Sequence, residues 1–187
     1  MRRFNAAVAS LGVMVAGLMG AAVTGCEGDT RATATAEPEK GAQGSAAKSQ
    51  IQKQKERVEI IEAPDEDDTA GLARRELARA KADGRTLLVY VGATWCEPCE
   101  RFHNAAKAGE LDAALPGIRL LEFDLDRDRD RLQKAGYGSK MIPLFAIPRE
   151  DGMGTGAQIE GGLKGDRAVP NLTTRLLRLL ETGQPEP

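Results

Sequence analysis

The chain has 187 residues, 26 lysines and arginines against 28 aspartates and glutamates, a net charge of −2 and one histidine. This near-balance, with no basic cluster, argues against nucleic acid and against electrostatic attachment to a membrane. The length allows a single hydrophobic core, and six of the seven aromatic residues lie between Tyr90 and Phe145, which locates it.

At the N-terminus, Arg2 and Arg3 give a positive start, and residues 4–23 are almost wholly apolar or small. No acidic residue precedes Glu27. These are the marks of a secretory signal. The stretch ends Val23-Thr24-Gly25-Cys26, which resembles the cleavage box of bacterial lipoproteins, where a small residue precedes a lipid-modified cysteine. The resemblance implies a signal peptide over residues 1–25 and an acylated Cys26 at the head of the mature chain. An uncleaved anchor, or cleavage that leaves Cys26 free, are the alternatives. Nothing later in the chain is long and apolar enough to span a bilayer. The expectation is a periplasm-facing lipoprotein of the cell envelope, held to the membrane by its lipid. Glu27, where aspartate would signal retention, leans by the same resemblance towards the outer membrane.

Residues 26–56 are rich in Ala, Thr, Gly, Ser, Gln, Lys and Glu and lack aromatics, so they cannot bury enough surface to offset ordering entropy. They are expected to be a flexible tether reaching on the order of 30 Å. The domain is expected over residues 57–183, with a disordered tail at 184–187. Its first strand is expected over 57–62, ended by Pro64. A helix follows over about 69–82, with Asp65 to Asp68 at its start and Asp83-Gly84 at its end. The run Thr86-Leu87-Leu88-Val89-Tyr90-Val91 reads as a buried parallel strand.

Trp95-Cys96-Glu97-Pro98-Cys99 comes next, ahead of a helical pattern that runs to about Ala108. Two cysteines three apart can close a small disulfide ring. A strand before and a helix after place Cys96 at a helix N-terminus, where backbone N–H groups and the macrodipole favour a thiolate. Further strands are expected at Ile118–Phe123, Leu144–Ile147 and 157–160. A short helix is expected over 128–135, in a charged run from Asp124 to Arg131 read as solvated. A final helix over 168–182 presents Val169, Leu172, Leu176, Leu179 and Leu180 on one face.

Trp-Cys-x-Pro-Cys behind a buried strand resembles the thioredoxin superfamily, and the resemblance covers roughly residues 57–183. It implies an α/β fold with a central mixed sheet of four to five strands flanked by helices. It implies that Cys96 is the nucleophile, that Cys99 is the resolving thiol, and that the two form a redox-active disulfide. Pro143, 47 positions after Cys96 in Met141-Ile142-Pro143, matches the family's cis-proline. Together with Ile142 it would pair with an extended substrate segment. Gly161 in Glu160-Gly161-Gly162 matches a glycine beside the site, and Trp95 would shield it.

Two positions bear on the chemistry. The family carries a buried carboxylate six residues before the first cysteine, and here that residue is Tyr90. A phenol with a reference pKa of about 10 is no base at neutral pH. The proton route for Cys99 is then water, Glu97 or His103, which lies at i+4 from Cys99 on the same helix face. Glu97, next to Pro98 inside the motif, should disfavour the Cys96 thiolate. A less stable thiolate means a less stable reduced form and a more reducing couple.

The reading these residues support is a membrane-anchored, extracytoplasmic thiol–disulfide oxidoreductase, reducing in direction. It would need no cofactor and no metal. Its partners would be thiols and disulfides of envelope proteins and an upstream redox partner, with no nucleic acid. A module that handles Cu(I) or zinc through Cys96, Cys99 and His103 is an alternative, although a structural zinc site takes four ligands. A non-catalytic binding domain on the same fold is another.

Overall fold

In a computed structural model, the structure describes residues 42–185. The expected leader and Cys26 lie outside them. Five strands form one mixed sheet in the order β1-β3-β2-β4-β5. β1 (Glu59–Glu62) and β2 (Thr86–Gly92) run parallel to β3 (Ile118–Asp124). β4 (Leu144–Pro148) is antiparallel to β2, and β5 (Gly154–Glu160) is antiparallel to β4.

β2 is buried along its length after Thr86 and divides its side chains between two cores, as a strand covered on both faces must. Leu88 and Tyr90 meet Leu120, Phe145 and Ile159 on one face. This face is covered by α3 (Glu97–Ala108) through Phe102 and Ala105, and by α5 (Ala168–Thr182) through Leu172, Leu176 and Leu179. Leu87, Val89 and Val91 meet Leu121, Phe123 and Leu144 on the other face. There α2 (Thr69–Ala82) supplies Leu72, Ala73 and Ala80, and α4 (Leu125–Lys134) supplies Leu132. The α5 stripe is the one its leucine spacing predicts.

Three stretches differ from the sequence expectation. Residues 42–56, placed in the tether, form a helix, α1 (Ala42–Glu56). Its described side chains from Ser49 onward are all exposed. Composition alone excludes a core for this segment but not a helix, since Ala, Gln, Lys and Glu are good helix formers. Its end is tied to the domain by the Arg85 guanidinium, which donates to the carbonyls of Gln54 and Arg57 at 2.7 Å each. Burial starts at Val58, one residue into the expected domain.

α4 begins three residues early, because the Asp124 carboxylate caps it by accepting from the N–H groups of Asp126 and Arg127. The charged run is not wholly solvated either. Asp128 is buried and accepts from Arg127, Arg131 and the backbone of Asp124. Burial works against its charge, but the hydrogen bonds from Arg127 and Arg131 outweigh it and hold the carboxyl below the ordinary range. β5 starts at Gly154, earlier than 157.

Candidate active site

β2 ends at the buried Gly92, and Ala93 to Trp95 turn the chain into α3. Cys96 is the N-cap of that helix, and its Sγ accepts from the Cys99 N–H at 3.3 Å. Pro98 sits in the first turn, where no N–H is needed. Cys96 and Cys99 form a disulfide with their Cα atoms 5.2 Å apart. The two cysteines are only 4% and 3% exposed, whereas Trp95 and Met141 are 63% and 60% exposed. The disulfide therefore lies low, with Trp95, its neighbour in the chain, open to solvent. The Trp95 indole N–H is fixed by the Asp126 carboxylate at 2.8 Å.

The 141–143 segment reaches the motif through a chain of contacts. The Ile142–Pro143 peptide is cis. The Pro143 carbonyl accepts from Gly161 N–H at 2.9 Å. Gly161 has φ +67°, and a Cβ there would meet Met141 Cβ at 3.3 Å. A Cβ on Gly162 would meet Pro98 Cβ at 3.4 Å and Leu172 at 3.2 Å. Both glycines thus let β5 and the loop after it press against the motif. Ile142 is half-buried against the core under α2 and α4, so pairing with a substrate strand would fall to its backbone.

Arg175 was not singled out by sequence. From α5 it donates to the Gly161 carbonyl at 2.5 Å and the Glu160 carbonyl at 2.9 Å, holding the glycine loop in place. An arginine at one edge of an apolar helical face was the available signal.

The Glu97 carboxylate is engaged by its own helix and by the loop after β5. It is paired with Arg101 and accepts from the Gly165 N–H at 3.0 Å, and Arg101 also reaches Asp166 at 3.1 Å. The hydrogen bond from Arg101, above all, holds its carboxyl below the ordinary range. Glu97 stays ionised, and Arg101 offsets part of its field at Cys96.

Behind Cys99 the site is of a different kind. Tyr90 is buried, stacked on Phe145 with ring centroids 4.9 Å apart, and its hydroxyl lies 3.5 Å from the Cys99 carbonyl. Burial, and then the nearby Glu122 charge, push the phenol far above its usual pKa, so it stays protonated. A cavity of about 410 Å³ opens here, with Tyr90, Cys99, His103 and Glu122 among its walls. His103 Nε2 lies 3.5 Å from Glu122 Oε2. Glu122 was also missed by sequence. The signal was an acid inside the apolar strand run Ile118-Arg119-Leu120-Leu121-Glu122-Phe123.

The strand order, helices on both faces and a disulfide opening α3 decide the architecture. The fold is thioredoxin-like. No protein-family model matches the chain. A curated rice protein (Oryza sativa subsp. japonica) described as probable nucleoredoxin 3 is 33% identical over 72 residues, 37% of this chain, and the match spans 15% of that relative. A crystal structure of a poplar thioredoxin h aligns over 67% of this chain and 98% of the other, at 24% identity and a TM-score of 0.41. Among the described residues of this thioredoxin-like domain, no group of three or more His, Cys, Asp or Glu is placed to hold a metal ion. Among them also, no helix is long and apolar enough to cross a membrane.

Proposed function

We propose that this chain is a thiol–disulfide oxidoreductase, anchored by lipid outside the cytoplasm and working as a reductase on disulfides of envelope proteins. The observation that carries the reading is the Cys96–Cys99 pair at the N-terminus of α3, beside the Pro143–Gly161 corner. The helix start favours the Cys96 thiolate, which is the attacking species. In the reducing direction Cys96 attacks a substrate disulfide and forms a mixed disulfide. Cys99 then attacks Cys96 Sγ, and the substrate leaves with two electrons as dithiol. An upstream donor must reduce the Cys96–Cys99 disulfide again. The exposed Trp95 and Met141 offer apolar contact to a substrate chain, and the Pro143 corner offers backbone pairing. The anchored location rests on the apolar leader and on Cys26, which leaves no third thiol to mispair in an oxidising compartment.

The reducing direction rests on the charge of Glu97 beside the thiolate, a weaker lever once Arg101 is counted. Equilibration of the chain with glutathione tests it. A potential near −270 mV, that of thioredoxin, is expected. A value near −120 mV, that of a strong oxidant, would overturn the reductase assignment. Failure of the two cysteines to form a disulfide at any poise would overturn the oxidoreductase reading itself.

A further inference from the structure

Resolution of the mixed disulfide requires Cys99 to lose its proton, and Tyr90 cannot take it. The geometry points to Glu122, steadied by His103 and facing Cys99 across the rear cavity, as the acceptor that receives the Cys99 proton through water. This inference rests on the oxidoreductase reading above.

Register places Glu122 there. In the parallel pair of β2 and β3, Tyr90 stands opposite Glu122. Side chains opposite each other in a sheet point to the same face, so the carboxylate emerges beside the phenol, under α3. That is the face on which Cys99 and His103 share one side of the helix. Glu122 and Cys99 both line the cavity, and 410 Å³ is room for several waters at about 30 Å³ each. The cavity that Cys99 and Glu122 share is the space in which water would carry the proton between them.

The other charged groups around Glu122 are engaged elsewhere or lie further out. From β1, Glu62 is exposed and pairs with Arg127 at 3.6 Å. From α3, Glu100 and Lys107 are on exposed positions. At the end of β3, Asp124 is committed to capping α4. Arg127 reaches in from α4 but is held by Asp128 at 2.9 Å. Of these acids around the cavity, Glu122 is the half-buried one with neither a capping nor an arginine-pairing role, and among the described residues its ion-pair partner is His103. Burial lifts its carboxyl above the ordinary range, with the His103 charge opposing and the Glu62 charge adding. An acceptor with a raised pKa is better matched to a thiol than an ordinary carboxylate. His103 is a positioning residue.

The step balances. The Cys99 thiol gives its proton to water and water gives one to Glu122. The Cys99 sulfur bonds to Cys96 Sγ, the bond from Cys96 Sγ to the substrate sulfur breaks, and that electron pair leaves on the substrate thiolate. Glu122 then returns the proton to solvent.

The test follows the full chain, reduced and mixed with a chromogenic aromatic disulfide. The first phase releases one coloured thiolate as Cys96 forms the mixed disulfide. The second releases another as Cys99 closes the ring. The wild-type second phase should fall in rate on the acid side; in Glu122→Gln it should slow by about 10- to 100-fold at neutral pH and lose that fall. The first phase should keep its rate, and Glu122→Asp should recover part of the second. An unchanged second phase with an unchanged pH profile would overturn the role of Glu122 and leave the oxidoreductase reading standing. A missing first phase in the wild type would overturn both. Independently of any variant, the carboxyl titration of Glu122 in the wild type, followed by NMR, should shift when the disulfide is reduced. Identical titrations in the two states would also overturn the assignment.

Discussion

The two sides of the disulfide are built on different principles. In front, Trp95 beside Cys96 is exposed, and Gly161 meets Pro143 at a backbone corner that also holds the exposed Met141. Behind Cys99 lie a buried aromatic stack of Tyr90, Phe102 and Phe145 and the half-buried pair His103 and Glu122. The front side is made by local sequence: a motif, a proline and a glycine pair. The rear side is made by strand register, which brings residue 122 to residue 90. On the proposed function the front side would meet a substrate chain, and on the further inference the rear side would handle a proton.

The comparison breaks most sharply at the sulfur itself. Cys96→Ser should lower the rate of disulfide reduction by about 100-fold or more, since the nucleophile is gone, and turnover of a protein disulfide checks it. The rear side should respond in stability. Phe145→Ala removes a fully buried ring that touches both Tyr90 and Phe102. The expected loss is about 3–5 kcal/mol, read from denaturant unfolding. A loss under about 1 kcal/mol would mean that the stack does not support the wall behind Cys99.

The same division decides what could be read from the chain alone. The succession of strands and helices along the chain follows from periodicity, and a mixed sheet flanked by helices from the resemblance, because β2 and α5 carry clear apolar patterns. Cys96, Cys99, Pro143 and Gly161 stand in local motifs and were all visible. Glu122 and Arg175 were not, since their meaning comes from what faces them across the sheet or the loop. Asp128 looked solvated because an alternating charge run hides which of its members turns inward. The fold makes Asp128 the hub of Arg127 and Arg131. α1 escaped for the opposite reason: its residues favour a helix locally, although nothing in the core requires one.

A smaller effect sharpens the front side. Glu97 and Arg101 form one exposed pair, so in the native protein their fields at Cys96 partly cancel. Glu97→Gln removes the negative member and leaves Arg101 unbalanced. The thiolate is then favoured and the couple becomes more oxidising, on the order of 10 mV for an exposed charge. Glutathione equilibration reads the shift. Movement in the reducing direction would remove the electrostatic basis for the reductase assignment.

The smallest expected effect tests whether the rear side carries a cost. Glu122 titrates higher in the fold than in the unfolded chain, chiefly through burial. A carboxyl with a raised folded pKa binds more protons when native, so stability falls as pH rises from the unfolded value through the folded one. Once ionised, Glu122 is thus a net burden on the fold. Glu122→Gln, which cannot ionise, should melt at a slightly higher temperature than wild type at pH 7, with the gap closing towards pH 4. Thermal unfolding at the two pH values measures this. A variant that gains stability at neutral pH while the ring-closing phase slows is what a group kept for chemistry should produce. A variant that is less stable at both values would place Glu122 among the supports of the fold instead.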